Sequence, residues 1–275
     1  MNSSAYLLVS HGSRDPRPQT AALHLAQLVL ARLQHINTQN QAERSPRLRD
    51  SSHQTTSTGG LTVLAASEPA IAPPPFVETA VLELHPQPFH QQLVDCAERA
   101  IAAGHRHLTV IPLFLLPGVH VMEDIPTEVA IAQRLLGSQI TVQISPHLGS
   151  HPNWKTLLMS AWNCPATVSP ILVSHGSRRP GGNDPVEAIA TELGATTAYW
   201  SVLPHLDSQV ARLVQMGCQE IAILPYFLFV GGIWDAIAQL VPQFTQQYPY
   251  VRFHLADPIG VSDALADAVL NLSRL

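Results

Sequence analysis

Apolar residues fall into two patterns along this chain. Short unbroken runs, such as LLV at 7–9, TVIPLFLL at 109–116, ILV at 171–173 and IAILPYFLFV at 221–230, alternate with longer stretches where apolar positions recur every three or four residues. An unbroken run marks a strand covered on both faces, as in a parallel sheet, and the wider spacing marks an amphipathic helix. Two of the helical stretches, AERAIAAGHR (97–106) and VARLVQMGCQ (210–219), close on a glycine placed as a C-cap. Strand and helix alternate four times in each half of the chain. The pattern predicts α/β architecture: two tandem doubly wound domains, each with a parallel four-stranded sheet.

The halves also repeat each other in words. YLLVSHGSRDPR (6–17) returns as PILVSHGSRRPG (170–181), HLTVIPLFLLPGV (107–119) as EIAILPYFLFVGG (220–232), and ITVQISPHLG (140–149) as VRFHLADPIG (251–260). NCPATVSP (163–170) interrupts the pattern with two prolines and small polar residues, so the units are expected at 1–163 and 170–275. Between matched landmarks the first half is the longer. The excess is expected at about 37–76, between a first helix ending near Gln34 and a second strand starting near Val77. Its Gln, Ser, Thr and Pro content predicts a flexible surface insertion, in which LTVLAAS (61–67) is a candidate extra strand.

Composition narrows the partners. Charged residues make up only 13%, 20 acidic against 15 basic, so no large positive field is available for nucleic acid. A small anion held by a few arginines stays open. The N-terminal stretch is too short and too uncharged for a signal or a membrane span, which sets a cytoplasmic expectation with no membrane partner. Cys96, Cys164 and Cys218 lie far apart without a Cys-x-x-Cys pair, and read as small hydrophobes rather than ligands of zinc or an iron-sulfur cluster.

In an open parallel sheet, ligands bind beyond the carboxyl ends of the strands. His11 falls just past the first strand, Glu83 at the end of the second and His120 just past the third. Two imidazoles and a carboxylate can ligate a divalent transition metal with coordination positions left open, or take up protons. Ser10, Gly12 and Ser13 form a small-residue turn into a helix, suited to an anion, and Arg14 adds a contact for a carboxylate or phosphate. Asp15 and Arg17 are expected to face solvent. His85, His90, His105, His107, His147, His151 and His205 have no carboxylate matched to them at a strand end and are expected to be structural or surface residues. In the second half His175 repeats His11, but Ser201 stands where Glu83 does and Ile233 where His120 does. One site is therefore expected, with Arg178 and Arg179 left to hold an anionic substrate.

LLVSHGSRDPR, LELHPQPF and VIPLFLLPGVHVMEDIP resemble the sirohydrochlorin chelatases, the ATP-independent class II chelatases, in their long two-repeat form. The resemblance spans nearly the whole chain outside the insertion. It implies two chelatase-like domains facing across a cleft, and insertion of Fe²⁺ or Co²⁺ into sirohydrochlorin for siroheme or cobalamin synthesis. It also implies no cofactor beyond the divalent metal substrate. His11 and His120 would be the metal-binding, catalytic histidines, with Glu83 the acidic residue beside them. The apolar side chains Leu115, Leu116, Val119 and Phe229 would pack on the macrocycle. The fused halves would meet as an internal pseudo-dimer in a monomer. Two other readings share parts of the pattern: a tetrapyrrole or metal carrier without catalysis, and a histidine phosphatase. The second is disfavoured by Ser10 and Ser174, which stand where that chemistry needs an arginine before the histidine.

Overall fold

The computed structural model describes residues 5–44, 73–162 and 168–273. The first half contains β1 (Ala5–Ser10), α1 (Pro16–Arg44), β2 (Phe76–Val81), α2 (Phe89–Ala102), β3 (His107–Pro112), α3 (Ile125–Leu136), β4 (Thr141–Ile144) and α4 (Trp154–Trp162). The second repeats the order as β5 (Ser169–Ser174), α5 (Asp184–Leu193), β6 (Thr196–Tyr199), α6 (Leu206–Gln215), β7 (Glu220–Pro225), α7 (Gly232–Gln247), β8 (Arg252–Leu255) and α8 (Asp263–Leu272). Each half forms a parallel four-stranded sheet, in the orders β2-β1-β3-β4 and β6-β5-β7-β8.

Side chains alternate between the faces of a strand, and here both faces are covered. In β1, Leu7 and Val9 join α2 and α3 on the outer face, while Leu8 turns inward; in β5, Ile171 and Val173 face α6 and α7, while Leu172 turns inward. Leu8 and Leu172 belong to one continuous apolar cluster built from α1, α4, α5 and α8, a helical layer shared by the two sheets. The last helix of each half reaches across. Trp154 of α4 donates from Nε1 to the Tyr226 hydroxyl just past β7, at 2.9 Å in a buried setting, and Lys155 pairs with Glu192 of α5. Reciprocally, α8 packs on α1, with Arg32 bridging Asp263 and Asp267.

One expectation changes. The first helix continues to Arg44, so residues 37–44 belong to α1 rather than to the insertion. The apolar periodicity fades after Ile36, but no glycine or proline intervenes before Pro46, and the Thr38 hydroxyl bonds back to the Gln34 carbonyl. LTVLAAS lies outside the described residues, as does Cys164. Arg17 is exposed, as expected, and also makes a tie that its sequence did not announce. It bonds to Asp15 and, across the halves, to Asp235 of α7. Among the described residues no helix is long and apolar enough to cross a membrane.

Two measurements probe how the halves are joined. Tyr226→Phe strands the buried Trp154 N–H and is expected to cost about 1–3 kcal/mol, read from urea unfolding. The Arg17 pairing holds the Asp15 and Asp235 carboxyls below their ordinary 3.8. Carboxyls depressed in this way stabilise the fold above that value and lose the contribution as pH falls through the folded values. The difference in unfolding midpoint between the wild type and Arg17→Ala is therefore expected to be full near neutrality and to narrow below pH 3.8.

Candidate metal site at the strand ends

The carboxyl ends of β2, β1 and β3 lie side by side, and the chain extends their pairing a little further. Leu82 N–H bonds to the Ser10 carbonyl and Glu83 N–H to the His11 carbonyl, both at 2.9 Å, while Leu113 N–H bonds to the Val9 carbonyl at 2.8 Å. Glu83 is thereby pinned beside His11 although it lies two residues beyond β2. That approach requires glycine next to His11. Gly12 has φ +100°, and a Cβ there would come within 2.1 Å of the Glu83 carbonyl oxygen. Directly after Glu83 the chain turns at Leu84, a non-glycine residue with φ +61°.

His120 opens a single π-helical turn, His120–Asp124, between β3 and α3. Such turns add a residue to the helical ring and often re-aim a functional side chain. His11, Glu83 and His120 each offer a ligand atom within 4.8 Å of the others. Nε2 of His11 lies 3.9 Å from one Glu83 oxygen, Nε2 of His120 lies 4.0 Å from the other, and the two rings meet edge to face with centroids 4.6 Å apart. Ligands about 2.1 Å from a shared ion stand at most about 4.2 Å apart, so side-chain adjustments of under about 1 Å close this triangle on a metal. Behind the imidazoles lies Phe114, its ring 6.4 Å from His11 and 6.0 Å from His120.

The orientation of each histidine is set from its other nitrogen. His11 Nδ1 faces the Gly12 carbonyl at 3.3 Å and His120 Nδ1 faces Asp124 Oδ2 at 2.7 Å, while Nε2 of each ring is the nitrogen nearer Glu83. Neither Phe114 nor Asp124 was singled out in the sequence. Asp124 was legible there, four residues after His120 at the start of a helix; Phe114 was hidden in a run that reads as core.

The small-residue turn also caps the helix that follows it. Ser13 Oγ accepts from Asp15 N–H and Asp15 Oδ1 from Arg17 N–H, while Pro16 and Pro18 have no N–H to offer. The helix start is thus capped from within at Asp15 and Arg17. Ser10 and Gly12 act through their backbones, as described above. Arg14 and Arg178 are exposed; Arg179 reaches the first half, 3.5 Å from Glu123 in the π turn. Several of the other histidines are tied elsewhere: His90 to Glu128, buried His105 to the Pro74 carbonyl and His205 to the Tyr199 carbonyl.

The second half reproduces this backbone without its ligands. Ser201 N–H bonds to the His175 carbonyl at 2.9 Å as Glu83 does to His11, Gly176 is the left-handed glycine, and Tyr226 N–H bonds to the Val173 carbonyl. Ser201 also donates its hydroxyl to the His175 carbonyl, and Ile233 packs into the outer core.

The CbiX family model matches residues 52–162 and again 169–274. The chain belongs to the CbiX family. The matched stretches fall one in each half of the structure; β1, His11 and α1 lie ahead of the first. A sirohydrochlorin cobaltochelatase from Priestia megaterium is 28% identical over 200 residues, covering 67% of this chain and 64% of that protein, just under two thirds of its length. A sirohydrochlorin ferrochelatase from the same organism is 25% identical over 207 residues, 70% of this chain and 74% of that protein. SirB from Bacillus subtilis, solved with Fe³⁺, superposes with a TM-score of 0.71 over 100% of this chain and 95% of its own, at 21% identity, and so shares the CbiX fold.

Gly12→Ala is expected to push Glu83 away and to cost on the order of 1–3 kcal/mol, measured by urea unfolding, because it combines a backbone collision with an unfavourable φ.

Proposed function

We propose that this chain is a sirohydrochlorin chelatase, inserting Fe²⁺ or Co²⁺ into sirohydrochlorin without ATP. The observation that carries the proposal is the His11–Glu83–His120 triangle, three donors converging from three adjacent strand ends with both Nε2 atoms directed at one carboxylate. The activities named for the two Priestia relatives support it. The donor set of imidazole and carboxylate accepts either metal.

The chemistry required is removal of two pyrrole N–H protons, partial desolvation of the metal and its transfer to the ring nitrogens. His11 and His120 hold the incoming metal through Nε2, and Glu83 balances its charge. As the metal passes to the macrocycle, the freed imidazoles and carboxylate take up the released protons. Leu84, Val119 and Met122 are exposed apolar side chains beside the three ligands and offer a surface to a flat ring. Leu115, Leu116 and Phe229 are half-buried against the shared core and form the floor behind that surface. Arg14, Arg178 and Arg179 are placed to meet the peripheral carboxylates of the substrate, with Arg179 exchanging its Glu123 partner for one of them.

In this reading the unit at 1–163 carries the site, and the unit at 170–275 is a degenerate repeat that pairs with it inside one cytoplasmic monomer. The test follows the absorption spectrum of sirohydrochlorin with Fe²⁺ or Co²⁺ under anaerobic conditions. Acceleration over the spontaneous reaction is expected, falling about 10²–10⁴-fold in His11→Ala, Glu83→Ala and His120→Ala. His175→Ala is expected to keep most of the rate. Metal and tetrapyrrole binding without acceleration would make the protein a carrier, and a loss in His175→Ala equal to that in His11→Ala would end the single-site proposal.

A further inference from the structure

The two imidazoles are alike in what they face and unlike in what stands behind them. His11 Nδ1 has its own neighbour's carbonyl at 3.3 Å, at the weak end of hydrogen-bond distances, whereas His120 Nδ1 has a carboxylate at 2.7 Å, in the charge-assisted range. A carboxylate behind a ligating imidazole keeps the proton on the far nitrogen, holds the ring in plane and strengthens the near nitrogen as a donor. Asp124 is itself well held. Ile125, which follows it, is fully buried and returns its N–H to the His120 carbonyl, and Pro126 stiffens the first turn of α3. The His120 side chain is 30% exposed and that of His11 52%, so His120 is also the more confined of the two.

The second half supplies an independent observation. In the repeat that sets Ile233 against His120, Asp124 falls on Ile237, which is fully buried in the outer core, with Ile233 half-buried against that core. The ligand and the carboxylate behind it are thus replaced together by a packed apolar pair, while the histidine equivalent to His11 remains. Asp124 behaves as half of a unit with His120 rather than as an incidental acid at a helix start.

We infer that Asp124 is a positioning residue that makes His120 the anchoring ligand for the incoming divalent metal, and leaves His11 as the ligand that releases first when the metal passes to the macrocycle. The inference rests on the chelatase reading, but its test separates from it, because Co²⁺ binding is measured without tetrapyrrole. By calorimetry and the visible absorption of bound Co²⁺, Asp124→Ala is expected to loosen Co²⁺ about 10- to 100-fold. Asp124→Asn, whose amide oxygen still accepts the Nδ1 proton, should recover part of that affinity, and His120→Ala should lose more than His11→Ala. In the chelation assay Asp124→Ala should raise KM for the metal and leave KM for sirohydrochlorin unchanged, with the melting temperature reporting whether the fold is intact; should the alanine variant not fold, Asp124→Asn against the wild type carries the comparison. Wild-type Co²⁺ affinity in these variants, equal rises in both KM values, or a greater loss in His11→Ala would overturn the inference. A wild type that binds Co²⁺ in this pattern but does not accelerate chelation would overturn the function and leave the role of Asp124 standing.

Discussion

The constraint on which the rest of the structure depends is the helical layer shared between the two sheets. Leu8 and Leu172, at the centres of β1 and β5, both need cover on their inner faces, and α1, α4, α5 and α8 cover both at once. Because α4 leans on the second half and α8 on the first, neither half completes its core alone. Apolar burial of this kind is non-directional, so the direction comes from a few polar contacts: Trp154 to Tyr226, Arg32 to two aspartates of α8, and Arg17 to Asp235.

On that frame the site is made by backbone proximity more than by the ligands themselves. Left-handed Gly12 lets the chain after β2 close onto the chain after β1 at Glu83, and in the second half Ser201 N–H makes the matching bond to the His175 carbonyl beside left-handed Gly176. What differs between the halves is the side chains placed on it. A carboxylate and an imidazole with a carboxylate behind it give one half a metal-sized triangle, while a serine hydroxyl bonded to the His175 carbonyl, a half-buried Ile233 and a buried Ile237 give the other a closed turn. Chemistry here is a substitution pattern laid over a duplicated scaffold, which is why fold and function have to be argued separately.

The order of elements, the two parallel sheets and the position of His11, Glu83 and His120 at strand ends were legible because they follow from local rules. Apolar runs report burial, and a parallel sheet sends its strand ends to one edge. The helix boundary at Arg44 was missed because amphipathic periodicity is a signal of apolar spacing, and that spacing fades in the sequence after Ile36 while the helix continues. The capping role of the small-residue turn was hidden for a related reason. SHGSRDP has the composition of an anion loop, and only its folded conformation lets Ser13 and Asp15 cap the helix as well.

By itself, then, the sequence determined the fold class, the duplication and the placement of His11, Glu83 and His120 at neighbouring strand ends, since each is written in residue identity and spacing. Only the tertiary structure decided how far apart those side chains stand, which nitrogen each histidine presents, and that Asp124 backs one of them. It likewise turned Arg17, an unremarkable surface residue in the sequence, into a tie between the halves. Distances and hydrogen-bond partners arise when segments remote in the chain pack against each other, and no local pattern encodes that meeting in advance.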